Sequence, residues 1–339
     1  MKPLSLSLKC QHLGHSDLHE QIKCLMSIKV PNASIDTTTL SISNTNYTIM
    51  ETIHTGEYGK LTVVQKQEIN NKDETLYWKY SPTSKRSLFK EAVFQTLAHA
   101  ALSAHGITWA VPEVESIFNH PDHGIGFLMS HPNNADIFAN YLQKHFCWTK
   151  SCVQNDKIII EVIAQLSIYL CILEDTLKMN HRDLKSTNVV LIQKSATPFN
   201  LGYIRKGRKF IINTDLRAII IDFGFSCISY EDTIIAAGNY LPSFDGCPKE
   251  GRDLFLFLAH LWNVELLRKC ITPKLQEWFK KHLQSKKMSW TDHLIKIKDT
   301  SLKLVYLYTT SADFSMPSCN PYTVLESLSH DFPSMITTI

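Results

Sequence analysis

The chain has little net charge. Its 35 Lys and Arg stand against 32 Asp and Glu, a formal charge of +3, too small to imply a nucleic-acid partner. The nine cysteines show no paired spacing. That excludes a disulfide framework read from sequence and suggests free thiols in a reducing, intracellular setting, cytoplasmic or nuclear. The opening residues, Met1 to Lys9, carry no sustained apolar core, so no secretion signal is expected. Repeats and low-complexity tracts are missing. No apolar run is long enough to span a membrane: residues 157–178 are rich in Ile and Leu, but Glu161, Gln165, Glu174 and Asp175 interrupt them, which marks a core helix. Cys10, His12, His15, His19 and Cys24 include zinc-ligand types, yet their spacing fits no zinc module, and Lys9, Glu20 and Lys23 fit a polar helix. The basic stretch Arg205-Lys206-Gly207-Arg208-Lys209 reads as a solvated loop. The oligomeric state is left open.

What is present is a set of short motifs in a fixed order. Residues 181–188 read His-Arg-Asp-Leu-Lys-Ser-Thr-Asn, and Asp222-Phe223-Gly224 begins thirty-four residues past Asn188. The first string resembles the catalytic loop of the eukaryotic-type protein kinases and the second their magnesium-binding loop. The resemblance implies an α+β, two-lobed protein kinase-like fold, with a small β-rich N-lobe and a mainly helical, shortened C-lobe. It also implies ATP and Mg2+ as cofactors and a protein substrate. Phosphoryl transfer asks the protein for positioning and for charge neutralisation. By this resemblance Asp183 accepts or orients the substrate hydroxyl proton. Asn188 and Asp222 hold magnesium, and Lys185 reaches the transferred phosphate. A Lys at 185 resembles the Ser/Thr-directed branch. Arg182 is the position that receives a phosphorylated activation segment, where Ser226, Ser229, Tyr230 and Thr233 supply hydroxyls.

Upstream, Ile53 to Val64 resembles the glycine-rich loop over the phosphates, with Gly56 and Gly59 as its second and third glycines. A turn-like Asn70-Asn71-Lys72-Asp73 separates it from Leu76-Tyr77-Trp78-Lys79. That gives three strands, with Lys79 on the third to contact the α- and β-phosphates. Residues 84–103 lack Gly and Pro and suit a helix, and Glu91, its only acid, is expected to pair with Lys79. Ile125 to Pro132 looks like the strand that ends in the hinge. Met129 would then guard the back of the adenine pocket, and the backbone near His131 would bond adenine. Gly251-Arg252-Asp253, heading an apolar run, resembles the start of the central buried helix, with Asp253 binding the catalytic-loop backbone.

The boundaries expected are an extension over 1–47 and a kinase-like domain over 48–339, with the N-lobe at about 48–131 and the C-lobe at about 132–339. Departures from the pattern are specific. His54 replaces the first glycine, Tyr77 stands where a small residue roofs adenine, and Gln95 replaces an apolar packing residue. Gly238 to Pro242 resembles a substrate-docking loop, but no Ala-Pro-Glu closes it. Residues 189–221 hold an insertion, expected to lengthen a hairpin. Only 86 residues follow Asp253. The compact C-lobe is similar to that of kinases of large DNA viruses, which would act in a host cell. An active Ser/Thr kinase and a pseudokinase scaffold for nucleotide or partner both remain open. Arg182, Lys185 and the intact Asp-Phe-Gly argue against a small-molecule kinase.

Overall fold

The computed structural model describes residues 18–55, 59–66, 74–81, 87–193, 198–230, 233–237, 246–286, 288–297, 309 and 319–339. Gly56, the segment 238–242 and the ligand-type residues Cys10, His12 and His15 lie outside them. The chain divides into two compact units. One comprises Met1–Asn133, Asp222–Ser226 and Ala236–Asn239; the other comprises Asn134–Ile221, Cys227–Ile235 and Tyr240–Ile339.

The first unit is built on alternating strands. After helix α1 (Leu18–Met26) come β1 (Ala33–Ile35), β2 (Thr39–Ile42), β3 (Thr45–Thr55), β4 (Lys60–Lys66) and β5 (Glu74–Tyr80). Helix α2 (Phe89–Ala104) follows, then β6 (Val114–His120) and β7 (Gly124–Ser130). The seven strands form one sheet in the order β1-β2-β3-β4-β5-β7-β6. Residues 33–42, which precede the boundary expected at 47/48, are thus strands of this sheet. Side chains alternate across a strand. Leu76, Trp78 and Tyr80 of β5 therefore join Leu40, Tyr47, Val64, Phe118 and Leu128 in one buried cluster. The same period puts Tyr77 and Lys79 together on the opposite face. Helix α2 is apolar around most of its girth and packs on β6, on β7 and on the 3-10 turn Phe223–Phe225.

The second unit is mainly helical. It contains β8 (Ala135–Ile137), α3 (Phe138–His145) and the 25-residue α4 (Val153–Leu177). Short β9 (Met179–Asn180) leads into residues 181–188, and β10 (Val189–Gln193) leads out. The insertion forms the hairpin β11 (Phe199–Arg205) and β12 (Arg208–Thr214), before β13 (Leu216–Ile220). Its two turn residues, Lys206 and Gly207, both have positive φ, the geometry that lets a two-residue turn follow the strand twist. Then come β14 (Cys227–Tyr230), β15 (Thr233–Ala236), α5 (Arg252–Asn263), α6 (Glu265–Cys270), α7 (Pro273–His282), α8 (Trp290–Ile297), α9 (Pro321–Asp331) and β16 (Ile336–Thr338). Three small sheets have the orders β13-β10-β8, β11-β12-β16 and β15-β14-β9.

The polar residues of α4 are structural ties. Gln165 donates to the Leu216 carbonyl (3.1 Å) and accepts from the Ala218 N–H (3.1 Å), while Glu161 accepts from Thr214 (2.7 Å). The basic turn is not free charge. Arg205 pairs with Asp175 (2.7 Å), Arg208 pairs with Glu326, and Arg205 and Lys206 lie over the Tyr322 ring. The expectation of free thiols fails at one pair: Cys227 and Cys247 are joined in a disulfide. β14 and the turn before α5 bring together two cysteines that the linear spacing left unrelated. Cys24, Cys147, Cys152, Cys171, Cys270 and Cys319 are free. No helix among the described residues is long and apolar enough to cross a membrane.

Candidate active site

In the first unit, Lys79 is the centre. β5 holds it on the face away from the core. Its ammonium donates to Glu91 Oε1 at 2.5 Å and to Asp222 Oδ1 at 2.9 Å. Glu91 lies in the first turn of α2, at 3 % exposure. Asp222 enters the unit from far along the chain, with left-handed backbone (φ 69°, ψ 69°) at the head of the Phe223–Phe225 turn. Burial works against the Lys79 charge, but Asp222 and Glu91 outweigh it and hold the pKa above its usual value. Lys79 is therefore a fixed cation with two carboxylates on it.

Glycine shapes the surroundings of Lys79. A Cβ on Gly59 would rest against the Lys79 side chain, at 3.4 Å from Cε. Gly126 on β7 is tighter. A Cβ there would stand 2.8 Å from the Lys79 carbonyl oxygen and 3.2 Å from Trp78 Nε1, closer than real Cβ atoms approach backbone. Gly126 thus sets how closely β7 passes β5, a role sequence reasoning did not assign. Tyr77 shares the Lys79 face. Its half-buried ring lies 4.3 Å from that of His131. Met129 pairs with Tyr77 across β5 and β7 and is 7 % exposed. Gln95, the polar replacement in α2, is fully buried yet satisfied. It donates to the Pro112 carbonyl (2.9 Å) and to Met129 Sδ (3.3 Å). The His131 ring bonds the Asn133 side chain (2.9 Å).

In the second unit, residues 181–188 are pinned from behind. Asp253, at the start of α5 and fully buried, accepts the N–H of His181 (Oδ2, 2.7 Å) and of Arg182 (Oδ1, 2.7 Å). Arg182 has φ 68°, a backbone state costly for a residue with a Cβ, and the two bonds to Asp253 hold it there. Its side chain is buried. His181 accepts from the Asp183 N–H at Nδ1 (3.4 Å), which assigns the proton to Nε2, donating to the Ile221 carbonyl (3.0 Å).

The carboxylate that this frame presents is Asp183. Lys185 Nζ donates to both its oxygens, at 3.0 and 2.8 Å. Asn188 Nδ2 donates to Oδ2 (2.9 Å) and to the Asp183 carbonyl (2.8 Å). Two further titratable groups of this unit are shifted. His260 on α5 bonds Ser186 Oγ (3.2 Å); burial, then Lys185, pushes its pKa down to about 4. Glu174 on α4 accepts the Gly251 N–H (3.0 Å); burial, then Asp253, pushes its pKa up to about 8. Neither position carries a sequence signal, because each acts through a fold contact with a residue some 70 or more positions away.

No protein-family model matches the chain, and no curated protein matches it. Among solved structures it is similar to the crystal structure of the BubR1 kinase domain, with a TM-score of 0.50. The fold is kinase-like. The likeness covers 91% of this chain and 98% of that one, at 13% identity, so it concerns architecture alone. Within this kinase-like fold, two groupings are formed among the described residues: Lys79 with Glu91 and Asp222, and Asp183 with Lys185 and Asn188. Of the hydroxyls that follow Gly224, Ser226 is fully buried, Ser229 and Tyr230 are half-buried and Thr233 is exposed.

Proposed function

We propose that this chain transfers the terminal phosphoryl group of ATP to Ser or Thr hydroxyls of a protein substrate. The observation that carries the reading is the state of Asp183. It is a carboxylate held by one cation and one amide, on a loop whose backbone is fixed by buried Asp253. A group so placed can orient a hydroxyl and take its proton. Lys185 beside it can meet the charge of the arriving phosphate. Lys79, charged and locked by Glu91, suits the α- and β-phosphates.

Magnesium takes hard oxygens, and the residues that would hold it are Asp222, by its carboxylate, and Asn188, by its amide oxygen. Bound there, the ion would neutralise phosphate charge. Asp183, Lys185 and Lys79 do the positioning described above.

A second reading, a nucleotide- or partner-binding scaffold without transfer, draws on Tyr77. Its ring occupies the Lys79 face of β5 against His131. One assay separates the two: transfer from radiolabelled ATP with Mg2+ to a generic Ser/Thr substrate, beside Asp183→Asn. The parent should transfer phosphate, and Asp183→Asn should fold normally and transfer it roughly 10²–10⁴-fold more slowly. Equal rates in the two proteins would remove Asp183 from the chemistry. No transfer by a folded parent that still binds ATP would favour the scaffold.

A further inference from the structure

The disulfide between Cys227 and Cys247 closes the stretch that follows Asp222-Phe223-Gly224 into a loop, with a sequence separation of 20. Cys227 opens β14 and is fully buried; Cys247 lies in the turn before α5, 8 % exposed. Both anchor points attach to one strand, β9. β14 pairs with it in the register Cys227↔Asn180 and Ile228↔Met179. The turn attaches through Asn180, whose Oδ1 accepts the Lys249 N–H (2.7 Å) and whose Nδ2 donates to the Lys249 carbonyl (3.3 Å). β9 runs without a break into His181, Arg182 and Asp183, and Asp253, just past the turn, holds the first two by their N–H groups. Inside the loop the described chain is held less: Ser229 and Tyr230 are half-buried, and Thr233 and Ile234 are exposed.

We propose that Cys227–Cys247 is a redox-set clamp. Closed, it fixes β14 against the 246–250 turn and so steadies the strand that carries Asp183. Open, it releases the turn end of the loop, and the geometry at Asp183 loosens. A cross-link removes freedom from the chain between its ends, which is the physical basis of the effect. The chemistry is thiol–disulfide exchange with a dithiol. The attacking thiolate breaks the S–S bond and passes through a mixed disulfide. The dithiol closes to its own cyclic disulfide, and its two electrons and two protons end on the Cys227 and Cys247 sulfurs. A disulfide oxidant such as glutathione disulfide runs the reverse. The effect on transfer rests on the proposed kinase activity; the clamp itself does not.

The test uses the full chain equilibrated with glutathione disulfide or with dithiothreitol, then alkylated. Cys227 and Cys247 fall in one tryptic peptide, 218–249, which contains no internal Lys or Arg. Under oxidant this peptide should be lighter by two hydrogens and unalkylated; under dithiothreitol both cysteines should be alkylated. Failure to form the bond under oxidant overturns the proposal. Chymotrypsin, which can cut at Tyr230, Tyr240 and Phe244, should cleave the reduced protein about tenfold faster. Equal cleavage overturns the clamp whatever the transfer assay shows. Transfer should fall about tenfold or more on reduction, and undiminished transfer overturns the link to Asp183. Cys247→Ser, chosen because Cys227 is wholly buried, should match the reduced parent in both redox states. A residual redox response of that variant would place the switch elsewhere. If no protein shows transfer but cleavage follows redox state, the clamp stands and the kinase reading falls.

Discussion

Glu174 is buried on α4 against the Gly251 N–H, His260 is half-buried on α5 against Ser186, and desolvation favours the uncharged form of each. Their pH effects have opposite signs. His260 titrates near 4 when folded and at an ordinary 6.5 when unfolded. The unfolded chain binds the extra proton between those values. The contribution of His260 is therefore present above pH 6.5 and is lost as pH falls toward 4, on the order of 3 kcal/mol. Glu174 titrates near 8 folded against 4.5 unfolded. Its contribution is present below pH 4.5 and is lost as pH rises through 8. Urea unfolding across pH should show His260→Gln losing less stability than the parent between 6.5 and 4. Glu174→Gln should gain on the parent between 4.5 and 8. Differences that stay flat with pH would refute these assignments. The Lys79–Glu91 pair makes a second residue-scale prediction. Removing one partner of a buried pair leaves an uncompensated charge, so Lys79→Met should destabilise the protein by roughly 3 kcal/mol as well as slow transfer. Lys79→Met with Glu91→Gln should recover much of that stability and none of the activity. A double variant no more stable than Lys79→Met in thermal melts would show that Glu91 is not the group left stranded.

At the scale of elements, the contact between β5 and β7 is the most constrained. Gly126→Ala forces a methyl to within 2.8 Å of the Lys79 carbonyl, so one strand must shift. The cost expected is about 1–3 kcal/mol, with slower transfer, although residue 126 touches no substrate group. A variant with parental melting temperature and rate would mean that β7 yields freely. Such elements were legible to different degrees. The strand carrying Lys79 could be read because a half-buried strand writes its faces alternately, and α2 because sixteen residues from Phe89 contain neither Gly nor Pro. Asp183 and Asn188 could be singled out because they stand in one short string of matching residue types, and Asp222 because Phe223 and Gly224 follow it directly. The Cys227–Cys247 bond could not, since its partners meet only through the pairing of β14 with β9. The tie between Gln95 and Met129 was equally hidden. A buried amide reads as a packing fault until its two acceptors are placed beside it. The strands β1 and β2 fell within the expected extension, because strands of three and four residues carry too few alternations to stand out.

For the whole molecule, the proposed ligand set makes nucleotide binding depend on metal. Magnesium held by these oxygens would add binding energy that only the folded chain can use, so ATP with Mg2+ should raise the melting temperature. In EDTA the same ATP concentration should give a much smaller shift, because Asp222 then adds only repulsion to the phosphates. Equal shifts in both buffers would sink the metal assignment.

The return of residues 222–226 to the first unit matters before the protein is finished. On the ribosome, Lys79 and Glu91 emerge 12 residues apart, but Asp222 follows Lys79 by 143. Until residue 222 is made, only one of the two carboxylates is available to that ammonium, and the second arrives after all of α4 and the inserted hairpin. The first-made unit is thus among the last completed. A fragment cut at Asn133, where the two units first divide, would carry the whole seven-stranded sheet and still lack an acid that its lysine is built to meet.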